Sequence, residues 1–160
     1  MEPRPERPRV FVALGDALAA GFGPWRLSAA GRGTSFPARL ARRMKVPFER
    51  PPSGAGDVLR RLAAGRVRGG AHHLCVPGLD AAGLFERRAS PPMLRAGDDR
   101  ATQTNLVLGF PHLVHPGLRP PSLIEAAAGA RPTHVLICLG YDAAVAAARS
   151  GNPDDLAAVD

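Results

Sequence analysis

The fold is decided by residues 10–23, VFVALGDALAAGFG. The apolar run 10–14 is unbroken, which is typical of a strand buried on both faces of a parallel sheet. Gly15 and Asp16 end the run. Two further apolar runs, residues 74–76 and 135–139, also end at a glycine or a proline-glycine pair. We therefore predict three buried strands.

Helical signals lie between these strands. Ser35 is placed to cap a helix with Pro37 in its first turn. Phe36, Leu40 and Met44 follow at four-residue spacing, which predicts that they form the buried face of that helix.

Two shorter helices are also predicted. Asp57 is expected to cap one that ends before Gly65, and Ser122 one that ends at Gly129. Residues 86–121 are rich in Pro, Gly and Arg, and we expect a long irregular excursion over the surface there.

Strands that alternate with helices predict the α/β class with a parallel sheet. Residues 1–160 fit a single domain, with residues 1–9 as a flexible N-terminal tail. A helix-start pattern at residues 152–155 lies close to the last residue given, and three strands leave one sheet edge uncovered. We therefore expect a domain cut short after about the third strand, with self-association possible through the uncovered edge.

Composition excludes several function classes. The net charge is +7, but the arginines are spread along the chain and there are few aromatic residues, so we expect no nucleic-acid partner. No signal peptide and no apolar run of membrane-spanning length occurs, which predicts a cytoplasmic protein without a membrane span. The two cysteines and five histidines lack zinc-ligand spacing, so no metal is expected.

The turn after the first strand is the predicted site. In open α/β sheets, ligands bind at the carboxyl ends of the strands. A residue placed there exposes its side chain beside backbone N–H groups, which suits a nucleophile. Position 17 is that place, and it holds alanine.

Four segments resemble one family of enzymes. Residues 12–23 resemble the first conserved block of the SGNH hydrolases, also called GDSL-type lipases/acylhydrolases, with alanine in place of the block's serine. Residues 35–40 resemble the helix that follows that block. Residues 76–78 resemble the second block, and residues 137–142 resemble the third, normally Gly-x-Asn-Asp.

The resemblance implies a three-layer α/β/α fold with a flavodoxin-like sheet of strand order 2-1-3. With that order, Cys75 and Cys138 are too far apart for a disulfide. No cofactor is implied. The site residues carried over are Ala17 at the nucleophile position, with Gly15, Asp16, Gly78, Gly140, Tyr141 and Asp142 lining an oxyanion site.

Departures from the family pattern predict lost activity. An alanine methyl cannot attack a carbonyl. We expect the third-block asparagine to have no counterpart, because only Tyr141 separates Gly140 from Asp142. The Asp-x-x-His block that supplies the family's base is absent from these residues. Asp16 and Asp142 are expected either to bind backbone N–H groups at turns or to form a carboxylate pair.

Three functions remain open at this point. The first hypothesis is that the chain is an SGNH-like domain without activity. It would then either still bind a small ester, acyl or glycan ligand or be a decayed gene product. Alternatively, it is a truncated piece of an active serine esterase. The third hypothesis is a non-catalytic domain that binds an anion or a partner through the N–H groups of residues 15–23.

Overall fold

The computed structural model describes residues 8–21, 29–52, 55–64, 72–91, 99–111 and 117–152. Most of the predicted N-terminal tail and most of the helix start at residues 152–155 lie outside the described residues.

The strands are β1 (Phe11–Gly15), β2 (His73–Cys75) and β3 (His134–Cys138). The helices are α1 (Ala17–Ala20), α2 (Ala29–Thr34), α3 (Phe36–Met44), α4 (Ala55–Ala63), α5 (Ala81–Glu86), α6 (Asp99–Val107), α7 (Leu123–Gly129) and α8 (Tyr141–Ser150).

The three strands form one parallel sheet in the order β2-β1-β3, as predicted. Each strand lies within one residue of its predicted bounds. All five residues of β1 are buried, because β1 is the central strand and helices cover both of its faces. β3 is an edge strand among the described residues, and its side chains Val135 and Ile137 are exposed. The structure is of the α/β class and is compatible with a flavodoxin-like fold.

The side chains of β1 alternate between two apolar clusters, which places a helical layer on each face of the sheet. Val12 and Leu14 belong to the cluster that α5, α6 and α7 complete, with Leu84, Val107 and Leu123. Phe11 and Ala13 belong to the cluster that α1 and α3 complete, with Ala20 and Ala41. Cys75 and Cys138, on the two outer strands, are both free thiols.

Two predicted helix caps are confirmed. The hydroxyl of Ser35 accepts a hydrogen bond from the Ala38 N–H, and proline lies in the first turn of α3. The hydroxyl of Ser122 accepts from the Glu125 N–H at 3.3 Å, and the Ser122 N–H donates to the Glu125 carboxylate at 2.8 Å. This reciprocal pair fixes the start of α7.

The predicted buried face of α3 is wrong at two of its three positions, because only Met44 packs against the core. Phe36 and Leu40 are exposed, whereas Ala38 and Ala41 are buried against the sheet. The small side chains of Ala38 and Ala41 let the helix approach β1 closely. The four-residue spacing of the larger residues does not show which face of the helix lies against the sheet. Asp57 likewise lies in the first turn of α4 and is not its cap, because the helix begins at Ala55.

The stretch from 86 to 121 also differs from the prediction. Its described part contains α6, and Leu106, Val107 and Leu108 are buried. The amide of Asn105 donates to the Ser90 carbonyl and accepts from the Ser90 N–H, both at 2.8 Å. This part of the segment is therefore packed into the domain, because its apolar residues complete the core beside α5.

His73 makes stability depend on pH. It is fully buried on β2, 2.8 Å from the Ala19 carbonyl oxygen through Nε2, and burial lowers its pKa to about 4. Below pH 6.5 the unfolded chain takes up a proton that the folded chain refuses until about pH 4, so stability is lost as pH falls through that range. We expect the free energy of unfolding, measured with urea, to fall more steeply from pH 6.5 to about pH 4 in the parent than in His73→Phe. Parallel losses would contradict this.

No helix in the described ranges is long and apolar enough to cross a membrane.

Candidate functional site

Three turns meet at one edge of the sheet, because parallel strands present their carboxyl ends together. They follow β1, β2 and β3, and together with Gly15, the last residue of β1, they carry every site residue that the sequence predicted. The Asp16 N–H donates to the Cys138 carbonyl at 3.1 Å, and the Val76 N–H donates to the Gly15 carbonyl at 2.8 Å. These bonds continue the strand pairing into the turns and fix the turns relative to one another.

Asp16 links the first turn to the third. Its carboxylate is buried and caps α1 by accepting the Leu18 N–H at 3.2 Å. The other oxygen accepts the N–H groups of Tyr141, at 2.7 Å, and Asp142, at 3.4 Å. Burial, with a smaller contribution from the Asp142 charge, raises the pKa of Asp16 despite these hydrogen bonds.

Asp142 makes the reverse connection. One carboxylate oxygen, Oδ2, accepts the N–H of Ala17 at 3.1 Å and the N–H of Gly78 at 2.5 Å. The two donors belong to different turns and converge on a single oxygen. We call them the N–H pair. Both aspartates therefore bind backbone N–H groups at turns, as one of the two predictions for them stated.

Gly78 has a backbone that other residues rarely adopt, with φ of +69°. Its Cα also faces the guanidinium of Arg100: a Cβ at this position would lie 2.8 Å from Nε and 2.9 Å from Cζ. The Gly78 carbonyl accepts a hydrogen bond from Arg87 at 3.1 Å. Glycine is favoured here by its conformation, whereas the exposed Arg100 side chain could move away from an added Cβ.

The remaining predicted residues have simpler roles. Ala17 is buried and contributes its N–H, while its methyl group stands at the start of α1. Gly140, with φ of +96°, allows the turn into α8. Tyr141 contributes its N–H to Asp16, and its side chain is exposed. Gly15 is pressed against the Cys138 carbonyl, which leaves no room for a side chain.

A cavity of about 290 Å³ opens beside the N–H pair. Sequence reasoning found its glycines and Asp142 but missed Arg100, Asp80 and the apolar residues of α8. Arg100 lies on α6, within the stretch interpreted as irregular, and the weak amphipathic pattern of α6 gave little signal of a helix. The lining residues are Gly78, Leu79, Asp80, Ala81, Arg100, Leu139, Gly140, Asp142, Ala143 and Ala146.

What the arrangement can do follows from these groups. Two N–H donors that converge on one oxygen can stabilise a negative oxygen atom. Among the described residues, neither Ala17 nor the side chains that line the cavity offer a hydroxyl, thiol or imidazole. In the described part of the chain, no cluster of three His, Cys, Asp or Glu side chains is suited to holding a metal ion. No protein-family model, curated protein or solved structure matches the chain.

Proposed function

We propose that this chain is a domain of the SGNH, or GDSL-type, ester hydrolase kind that has kept the oxyanion pocket and lost covalent catalysis. The observation that carries the proposal is the N–H pair. Ala17 and Gly78 donate to one oxygen from the ends of two neighbouring strands. An enzyme that cleaves esters needs such a pair to hold the oxygen of its tetrahedral intermediate.

The side chain at position 142 sets the state of this pocket. In the pattern Gly-x-Asn-Asp, the asparagine is two residues beyond the glycine, and counting from Gly140 gives Asp142 that place. This corrects the interpretation that the asparagine has no counterpart. An asparagine amide donates hydrogen bonds, whereas an ionised carboxylate only accepts them. The carboxylate of Asp142 therefore occupies the pocket, where the negative oxygen of a ligand would otherwise bind.

The nucleophile position supports the same conclusion. Ala17 presents a methyl group, and none of the described residues that line the cavity carries a hydroxyl or a thiol. Loss of the nucleophile leaves at most a small residual rate from the pocket itself. The proposed activity is therefore ligand binding without turnover, and a fluorophosphonate probe should form no covalent adduct with the parent protein. An adduct seen by mass spectrometry would overturn the proposal.

Asp142→Ala should open the pocket to an external anion. We expect acetate to shift the Ala17 and Gly78 amide resonances of this variant in ¹⁵N–¹H spectra, with affinity at least about tenfold higher than in the parent, or about 1.4 kcal/mol. The physical reason is that the two N–H groups lose their internal acceptor and the local negative charge is removed.

Asp80→Ala is the matched control. Asp80 lines the same cavity and its carboxylate accepts the Gly83 N–H, so its removal takes away an equal charge without freeing the N–H pair. We expect this variant to gain clearly less acetate affinity at the Ala17 amide than Asp142→Ala does. Equal gains in both variants would mean that charge alone governs binding, and the proposed pocket would be wrong.

A further inference from the structure

The cavity beside the N–H pair has one wall of apolar groups and one cationic group. Leu139, Ala143 and Ala146 line it from β3's end and from α8, while Leu79 and Ala81 line it from the other side. Among the described residues, Arg100 is the basic side chain that lines it. Cavities that combine apolar walls with a few placed polar groups are typical of small-molecule sites.

Arg100 is available to a ligand. Its guanidinium lies against the Gly78 Cα. A Cβ added at Gly78 would lie within 3.0 Å of three atoms of the Arg100 side chain. The side chain is exposed, and in the part of the chain that the structure describes no carboxylate forms an ion pair with it. A planar guanidinium can bind a carboxylate through two parallel hydrogen bonds.

The two acids of the cavity are already engaged with backbone donors. Asp142 accepts from the N–H pair, and Asp80 accepts from the Gly83 N–H at 2.6 Å. Their charges still oppose any anion that enters, and this opposition grows with the anion's charge. A ligand with a single negative charge and an apolar body therefore fits the cavity better than a dianion such as phosphate.

We infer that the cavity binds a short-chain monocarboxylate, with its carboxylate on Arg100 and its alkyl chain against Leu139, Ala143 and Ala146. This deepens the proposed function, on which it rests for the identity of the site, by naming the ligand class. Arg100 is the residue that determines specificity for a charged ligand. The N–H pair stays occupied by Asp142 while this ligand is bound.

Butyrate and butyramide titrated into the full chain test the inference, because they share an alkyl chain and differ in charge. We expect butyrate to bind the parent and to lose at least about tenfold in affinity in Arg100→Gln, as for a lost charge-assisted pair. Butyramide should bind neither protein measurably. Arg149→Gln is the matched control, since Arg149 lies in the last turn of α8 without lining the cavity, and it should bind butyrate as the parent does.

Each other outcome overturns the inference. Equal butyrate binding by the parent and Arg100→Gln, with both giving parent-like amide spectra, would remove Arg100 from the site. Equal binding of butyramide would show that the apolar wall alone selects the ligand. Tighter binding of phosphate than of butyrate, lost in Arg100→Gln, would assign the site to a different ligand class.

The acetate experiment separates the two proposals. If butyrate binding depends on Arg100 but Asp142→Ala gains no acetate binding at the Ala17 amide, the carboxylate site stands and the oxyanion pocket fails. If acetate binds to Asp142→Ala but butyrate binding does not depend on Arg100, the oxyanion pocket is supported and the proposed ligand class is wrong.

Discussion

Asp16→Ala should lower the free energy of unfolding by about 4 kcal/mol, since a buried donor left without its acceptor costs roughly 1 to 3 kcal/mol. The substitution leaves the N–H groups of Leu18, Tyr141 and Asp142 without the carboxylate that receives them. It also removes the cap of α1 and the connection between the turns after β1 and β3. Urea unfolding followed by circular dichroism measures the change.

Asp80→Ala serves as the comparison for this prediction. Asp80 also caps a helix, but its side chain is exposed to solvent and accepts only the Gly83 N–H among the bonds described. Loss of an ordinary cap of this kind costs about 1 kcal/mol. Similar losses in the two variants would mean that the connection between the turns contributes nothing beyond capping.

Gly15→Ala is expected to cost about 3 kcal/mol, at the upper end for an added methyl group in a packed interior. The new Cβ would lie 2.6 Å from the Cys138 carbonyl oxygen and 2.6 Å from the Ala19 Cβ. The carbonyl belongs to the backbone of β3, so it cannot rotate away, and the end of β1 must separate from β3 or from α1.

Gly56→Ala tests whether the loss of stability in Gly15→Ala comes from a lack of space or from the replacement of a glycine as such. A Cβ at Gly56 would meet nothing within 4 Å, and the residue lies in α4, where alanine is favoured over glycine by about 1 kcal/mol. We expect this variant to be as stable as the parent or more stable. A Gly15→Ala protein that unfolds at the parent's urea concentration would contradict the close packing at the end of β1.

The sequence predicted the frame of the fold well because that frame depends on local patterns. The apolar run of β1, the run of β3 and the caps Ser35 and Ser122 each carry their own signal within a few residues. Helix packing was harder. Phe36 and Leu40 have the spacing of a buried face, but the distance of α3 from the sheet is set by Ala38 and Ala41, and no local pattern gives that distance.

The meeting of the predicted residues could be foreseen from the sequence, but most of the hydrogen bonds between them could not. Parallel strand ends meet at one edge, so Gly15, Gly78 and Gly140 could be placed together from the strand order. The Asp142 side chain accepts the N–H groups of Gly78, 64 residues earlier, and of Ala17, 125 residues earlier. This bonding depends on how the turn after β2 lies relative to the turn after β1. Arg100 comes from a helix that no sequence pattern identified, so its place over Gly78 could not be foreseen.

The order of the strands in the sheet also bears on how the protein is made. The central strand is synthesised first, and the residues it pairs with follow it by about 60 residues in β2 and about 120 in β3. A ribosome must therefore release most of the described chain before the turn at Asp16 can meet the turn at Asp142. Until then the nascent β1 carries unpaired backbone groups on the side that faces β3, a stage at which chaperones commonly protect emerging apolar segments.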